Sequence, residues 1–131
     1  MLPWVEENVV KPIAMERPIW HPAGFSGTFD LLAYTKEHGD EPVLIDYKTS
    51  TKSRLANPSL LRDYQDQLAA YKAGILHTYG VRVNHACLVI GLANKLELKS
   101  MGKFVLECHK NSFMERVEEF HKSKCKPKVS E

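Results

Sequence analysis

Apolar residues recur at helical spacing at Leu60, Leu61, Tyr64, Leu68, Tyr71 and Ile75. They predict the longest helix of the chain, roughly Leu60 to Thr78, opened by Pro58-Ser59 and stopped at Gly80. A continuous apolar run, Ala86-Cys87-Leu88-Val89-Ile90, marks a strand over His85 to Leu92 that is covered on both faces. Val43-Leu44-Ile45-Asp46-Tyr47-Lys48 is the clearest strand of the first half. Phe25 to Tyr34 is rich in strand formers, with Gly24 and Gly27 loosening its start. The polar turn Lys36 to Pro42 lies between these two runs, so they are expected to form a hairpin. Lys11 to Trp20 reads as a strand of mixed character, after a short helix from Pro3 to about Val10. Thr49 to Pro58 is polar and irregular. Lys103 to Cys108 alternates and predicts a further strand. Ser112-x-x-Glu115 is a capping box that opens a last helix with Phe113, Val117 and Phe120 along one side. The order is helix, three strands, helix, two strands, helix, which implies an α/β or α+β arrangement around one central sheet.

The chain has 131 residues, a length expected of a single domain with its own core. Its net charge of +2 does not announce a nucleic-acid binder, but the total hides a split. Residues 1–60 carry six Lys/Arg against eight Asp/Glu, and residues 61–131 carry twelve against eight. A short basic tail occupies 121–131. The asymmetry points weakly to an anionic partner, and a solvated C-terminus explains the tail equally well. The three cysteines, Cys87, Cys108 and Cys125, have no C-x-x-C spacing, which fits a reducing, intracellular setting rather than a disulfide framework. There is no apolar run long enough to span a membrane and no signal-peptide pattern.

The chemistry-bearing residues lie between Gly27 and Tyr71. Side chains alternate along a strand, so Asp46 and Lys48 point the same way and Tyr47 the other. Hairpin pairing brings Asp30 alongside Asp46. The result is two carboxylates and an ammonium near the end of a sheet. Two carboxylate oxygens suit a hard cation such as Mg²⁺, with the backbone carbonyl of Tyr47 as a neutral oxygen ligand. The lysine can orient or help deprotonate water, or stabilise charge on a phosphate. A cross-strand salt bridge is the competing reading. Against it, Asp46 follows Val43-Leu44-Ile45 and places a charge at the end of an apolar strand. Gln67 and Tyr71, four apart, share one face of the following helix.

The ordered series Gly27-Thr28-Phe29-Asp30, Leu44-Ile45-Asp46-Tyr47-Lys48-Thr49-Ser50 and Gln67-x-x-x-Tyr71 resembles the PD-(D/E)XK nuclease superfamily. More narrowly it resembles the RecB-like exonuclease branch, including the mitochondrial genome maintenance exonuclease and small phage-encoded relatives. The likeness covers about residues 14 to 122. It implies a restriction-endonuclease-like core, a central mixed β-sheet flanked by helices. It also implies a Mg²⁺- or Mn²⁺-dependent deoxyribonuclease, exonuclease rather than endonuclease, that hydrolyses DNA with a metal-activated water. Asp30 and Asp46 would then be metal ligands and Lys48 the catalytic lysine. Gln67 and Tyr71 would support the site, and Thr49 and Ser50 would touch phosphate through hydroxyl or backbone donors. A cytoplasmic location follows from the same resemblance, in the host cytoplasm if the chain is phage-encoded. The alternative is a catalytically silent DNA-binding or recruitment module on the same fold.

RecB-like enzymes usually add an upstream helix with a His or acid that completes the metal shell. Here Glu7, or its neighbour Glu6, is the best substitute, with a solvated helix face as the competing reading. His21 fits an ordinary turn histidine, and Glu16 a structural partner in the first strand. Lys52 and Arg54, in the polar loop, are candidate phosphate contacts. Trp4 and Trp20 offer faces for base stacking, although partial core is the commoner use of such residues. The short N-terminal part leaves exonuclease polarity open and makes a homo-oligomer one way to enclose a DNA substrate.

Overall fold

The computed structural model describes residues 2–50 and 57–125. Helix α1 (Leu2–Asn8) leads into three antiparallel strands, β1 (Val9–His21), β2 (Phe25–Thr35) and β3 (Val43–Thr49). Helix α2 (Pro58–Tyr79) follows, then β4 (His85–Gly91), β5 (Leu96–Met101) and helix α3 (Lys103–Cys125). One five-stranded mixed sheet has the order β1-β2-β3-β4-β5. Only β3 and β4 pair in parallel, and α2 is the crossover between them.

Each element has a local cause. Asn57 caps α2 by accepting the Leu60 N–H at 3.3 Å, Pro58 occupies the first turn, and Gly80 ends the helix in the left-handed conformation at φ 71°. The expected hairpin forms, with Leu31 opposite Ile45 and Ala33 opposite Val43. β4 is buried along nearly its whole length, as its apolar run requires. Leu44, Leu88, Ile90 and Phe29 pack beneath α2 with Leu68 and Ile75. Leu31, Ile45, Cys87 and Val89 form a second cluster on the other face, beside Trp4, Val5 and Tyr47. Strand alternation therefore sends Leu44 toward α2 and Val43, Ile45 and Tyr47 toward the α1 side.

The end of the chain differs from expectation. The last strand is Leu96–Met101, and residues 103–108 are helical. In a strand Phe104 and Leu106 would share a face. Instead Phe104 is 84% exposed and Leu106 0%, the result expected for two residues about 200° apart around a helix. β5 is an edge strand with Leu96 and Leu98 exposed, which hid its alternation. The capping box at Ser112 and Glu115 lies inside α3 rather than at its start. The buried carboxylate of Asp66 on α2 draws in His109 at 2.5 Å and the guanidinium of Arg116. These two residues flank Ser112, so tertiary pairing carries one continuous helix across the local start signal.

Close approach of α2 to β1 depends on Gly74. A Cβ there would lie 2.9 Å from Ile19 Cβ and 2.4 Å from its Cδ1. Gly74→Ala is expected to lower stability by about 1–2 kcal/mol, overpacking outweighing the gain in helix propensity. Urea unfolding of both proteins measures the change.

Candidate active site

The β2–β3 ladder ends at Leu31 and Ile45, although both strands run further. Beyond that point the Tyr47 N–H donates to Asp30 Oδ2 at 2.9 Å. A side chain thus takes the place of a ladder carbonyl, and this fixes Asp30 beside Asp46. Asp46 is 2% exposed. Its pKa is pushed up to about 7, chiefly by burial and then by the neighbouring Asp30 carboxyl, which favours the protonated form. Lys48 pulls the other way and is outweighed.

Lys48 lies on the same side of β3 as Asp46, with Nζ 3.3 Å from Asp46 Oδ2. It donates to Gln67 Oε1 at 3.1 Å and stands 5.2 Å from the centre of the Tyr64 ring. Gln67 therefore positions the ammonium, a more specific task than helix-face polarity suggested. Tyr71 crosses Gly27: a Cβ there would lie 2.9 Å from Tyr71 Cε1. Burial first, and then Asp46 and Asp30, raise the Tyr71 pKa, so the phenol keeps its proton beside the acids. The glycine of the Gly27-to-Asp30 motif thus admits the tyrosine of the Gln67–Tyr71 motif. Tyr47 packs on the opposite face against Gly91.

The other expected residues are more scattered. Thr49 is exposed. The backbone N–H of Ser50 donates to Gly91 O at 3.0 Å, so that donor is committed to the sheet. Lys52 and Arg54 lie outside the described residues. Glu7 is exposed on α1. Glu6, rather than Glu7, lines a cavity of about 560 Å³ with Glu16, Asp30 and Tyr47. Glu16 lies between Met15 and Arg17, which pair with Leu31 and Phe29 on either side of Asp30, and has φ 49°, an uncommon conformation for a non-glycine residue. The strand pattern gave no sign of that turn. His21 accepts the Ala23 N–H through Nδ1 at 3.0 Å, a turn role. Trp4 packs beside the α1-face cluster, and Trp20 is exposed next to His77.

Asp46 Oδ2 is buried and receives no hydrogen bond of good geometry, although Lys48 is near. An orphaned carboxylate oxygen beside a second carboxyl is a donor set suited to a hard divalent cation. Among the described residues, no three His, Cys, Asp or Glu side chains are gathered closely enough to hold a metal. The two carboxyl groups that the structure brings together here are those of Asp30 and Asp46.

The family model of the PD-(D/E)XK nuclease superfamily matches residues 3–124. A search of the curated proteins found no match. Among solved structures, the crystal structure of SSO0001 is similar, with 13% identity and a TM-score of 0.47. The match covers 84% of this chain and 50% of that one, so this chain spans about half the length of that protein.

Proposed function

Because the chain belongs to the PD-(D/E)XK nuclease superfamily, we propose that it is a divalent-metal-dependent deoxyribonuclease of the RecB-like branch, acting as an exonuclease. The observation that carries this reading is the meeting of Asp30, Asp46 and Lys48 at the open end of the β2–β3 ladder, with Nζ 3.3 Å from Asp46. Asp30 and Asp46 would hold Mg²⁺ or Mn²⁺. When bound, the cation would polarise a phosphoryl oxygen and lower the pKa of water.

The chain's own residues would do the rest. The Tyr47 N–H holds Asp30 in place. Gln67 and the Tyr64 ring fix the Lys48 ammonium, where it would neutralise charge that develops on the phosphate. Tyr71 closes one side without adding a charge. Exonuclease action is supported by the likeness of Asp46-Tyr47-Lys48-Thr49-Ser50 and Gln67-x-x-x-Tyr71 to RecB-like motifs. No helix among the described residues is long and apolar enough to cross a membrane.

The test is incubation with linear, circular and end-blocked DNA, single- and double-stranded, with Mg²⁺, Mn²⁺ or chelator. Metal-dependent loss of linear DNA, with circular and end-blocked DNA spared, is expected. Cleaved circles would make it an endonuclease. DNA binding without cleavage in either metal would favour the recruitment module.

A further inference from the structure

Away from Asp30 and Asp46, the end of β1, the second half of α2 and the first half of α3 enclose a cavity of about 400 Å³. That volume lies within the range of small-ligand sites, about 300–1,000 Å³. Its polar lining is His21, Lys72, His77, Arg82, Glu107 and Lys110. Lys72 is 8% exposed, yet no carboxylate stands within ion-pair distance of it among the described residues. The nearby acid, Glu107, is committed to Lys110 at 2.8 Å. Burial lowers the Lys72 pKa, Glu107 partly offsets this, and Arg82, Lys110 and Lys103 lower it further. An ammonium so placed is costly to hold unless an anion joins it.

The remaining donors converge on the same space. Burial, His77 and Lys110 lower the His21 pKa, which favours the neutral ring. Since its Nδ1 accepts the Ala23 N–H, the neutral ring carries its proton on Nε2 and can donate from there. Three cations face one carboxylate, an excess that matches a dianion.

We infer that this cavity is an anion site for a phosphate monoester, with Lys72 as its buried cation and Arg82 and Lys110 at its rim. The shared chemistry is a tetrahedral dianion, supplied by a phosphorylated nucleic-acid end or by free phosphate or a mononucleotide. The inference does not depend on the nuclease reading, because none of its residues belongs to the catalytic set.

Calorimetric titration of the whole chain with inorganic phosphate, in a phosphate-free buffer, tests it. Lys72→Met keeps the aliphatic stem and is expected to weaken phosphate binding by about tenfold or more. Arg82→Gln, on an exposed residue where folding is not at risk, is expected to weaken it about threefold. Asp46→Asn should bind phosphate as the parent does. No phosphate binding by the parent protein overturns the site, as does undiminished binding in both the Lys72 and Arg82 variants. Loss of binding in Asp46→Asn alone also overturns it by moving the phosphate to the catalytic centre. Oligonucleotides with and without terminal phosphates, in chelator, separate the sources. A Lys72-dependent preference for the phosphorylated strand supports a nucleic-acid end. Equal strand binding with Lys72-dependent uptake of adenosine monophosphate supports a free nucleotide.

Discussion

Asp46→Asn and Lys48→Ala are each expected to reduce Mg²⁺-dependent DNA cleavage by about a thousandfold or more, with the fold retained. Asp46 brings a titratable carboxyl group beside Asp30, with one buried oxygen left without a hydrogen bond. Asparagine fills the same volume and removes the charge. Lys48 differs in that its ammonium is reached by Asp46, Gln67 and Tyr64 together. Alanine therefore removes the cation and leaves space around it. Gln67→Leu should have a smaller effect, about tenfold, because the ammonium remains and only its positioning bond is lost. Initial rates on linear DNA, with circular dichroism to verify folding, rank the three. Full activity in both Asp46→Asn and Lys48→Ala would remove the nuclease assignment. A loss in Gln67→Leu equal to that of Lys48→Ala would assign Gln67 a direct role with substrate.

The residues that carry these predictions were legible for a simple reason. Strand alternation is strict, so Asp46 and Lys48 had to share a face once Val43 to Lys48 was a strand, and the turn between β2 and β3 brought Asp30 to the same level. Helical spacing placed Gln67 and Tyr71 together in the same way. Relations across distant elements were not legible. Asp66 reads as an ordinary polar helix residue until α3 supplies His109 and Arg116. That pairing carries α3 through the capping signal at Ser112. Lys72 likewise reads as solvent-facing, since nothing in its local pattern says that α3 will cover it. The positive φ of Glu16 lies where β1 crosses β2 between the Met15–Leu31 and Arg17–Phe29 pairs, and nothing in the local pattern signals it. Local periodicity thus fixed the strand that carries Asp46 and Lys48, and long-range packing decided which other polar residues turned inward.

The metal-free protein should lose stability as pH rises from about 4 to about 7, in a manner that Asp46→Asn abolishes. The Asp46 carboxyl has an ordinary value of 3.8 and is pushed up to about 7 in the folded state, by burial before all else. Between those values the native state holds a proton that the unfolded chain has released, so rising pH favours unfolding. The contribution is fully present below the unfolded value and is gone above the folded one. Its size is about 4 kcal/mol. The Glu107 carboxyl, held below its ordinary value chiefly by its hydrogen bond from Lys110, works in the opposite direction, so the informative quantity is the difference between parent and variant across the pH series. A divalent cation would reverse the trend by taking the place of the proton between Asp30 and Asp46. In neutral to mildly alkaline buffer, Mg²⁺ should therefore raise the unfolding temperature of the parent protein and leave that of Asp46→Asn unchanged. Chelator should undo the rise. Parallel pH profiles for parent and variant would show that Asp46 is not the group held protonated. Equal stabilisation of both by Mg²⁺ would place the cation elsewhere.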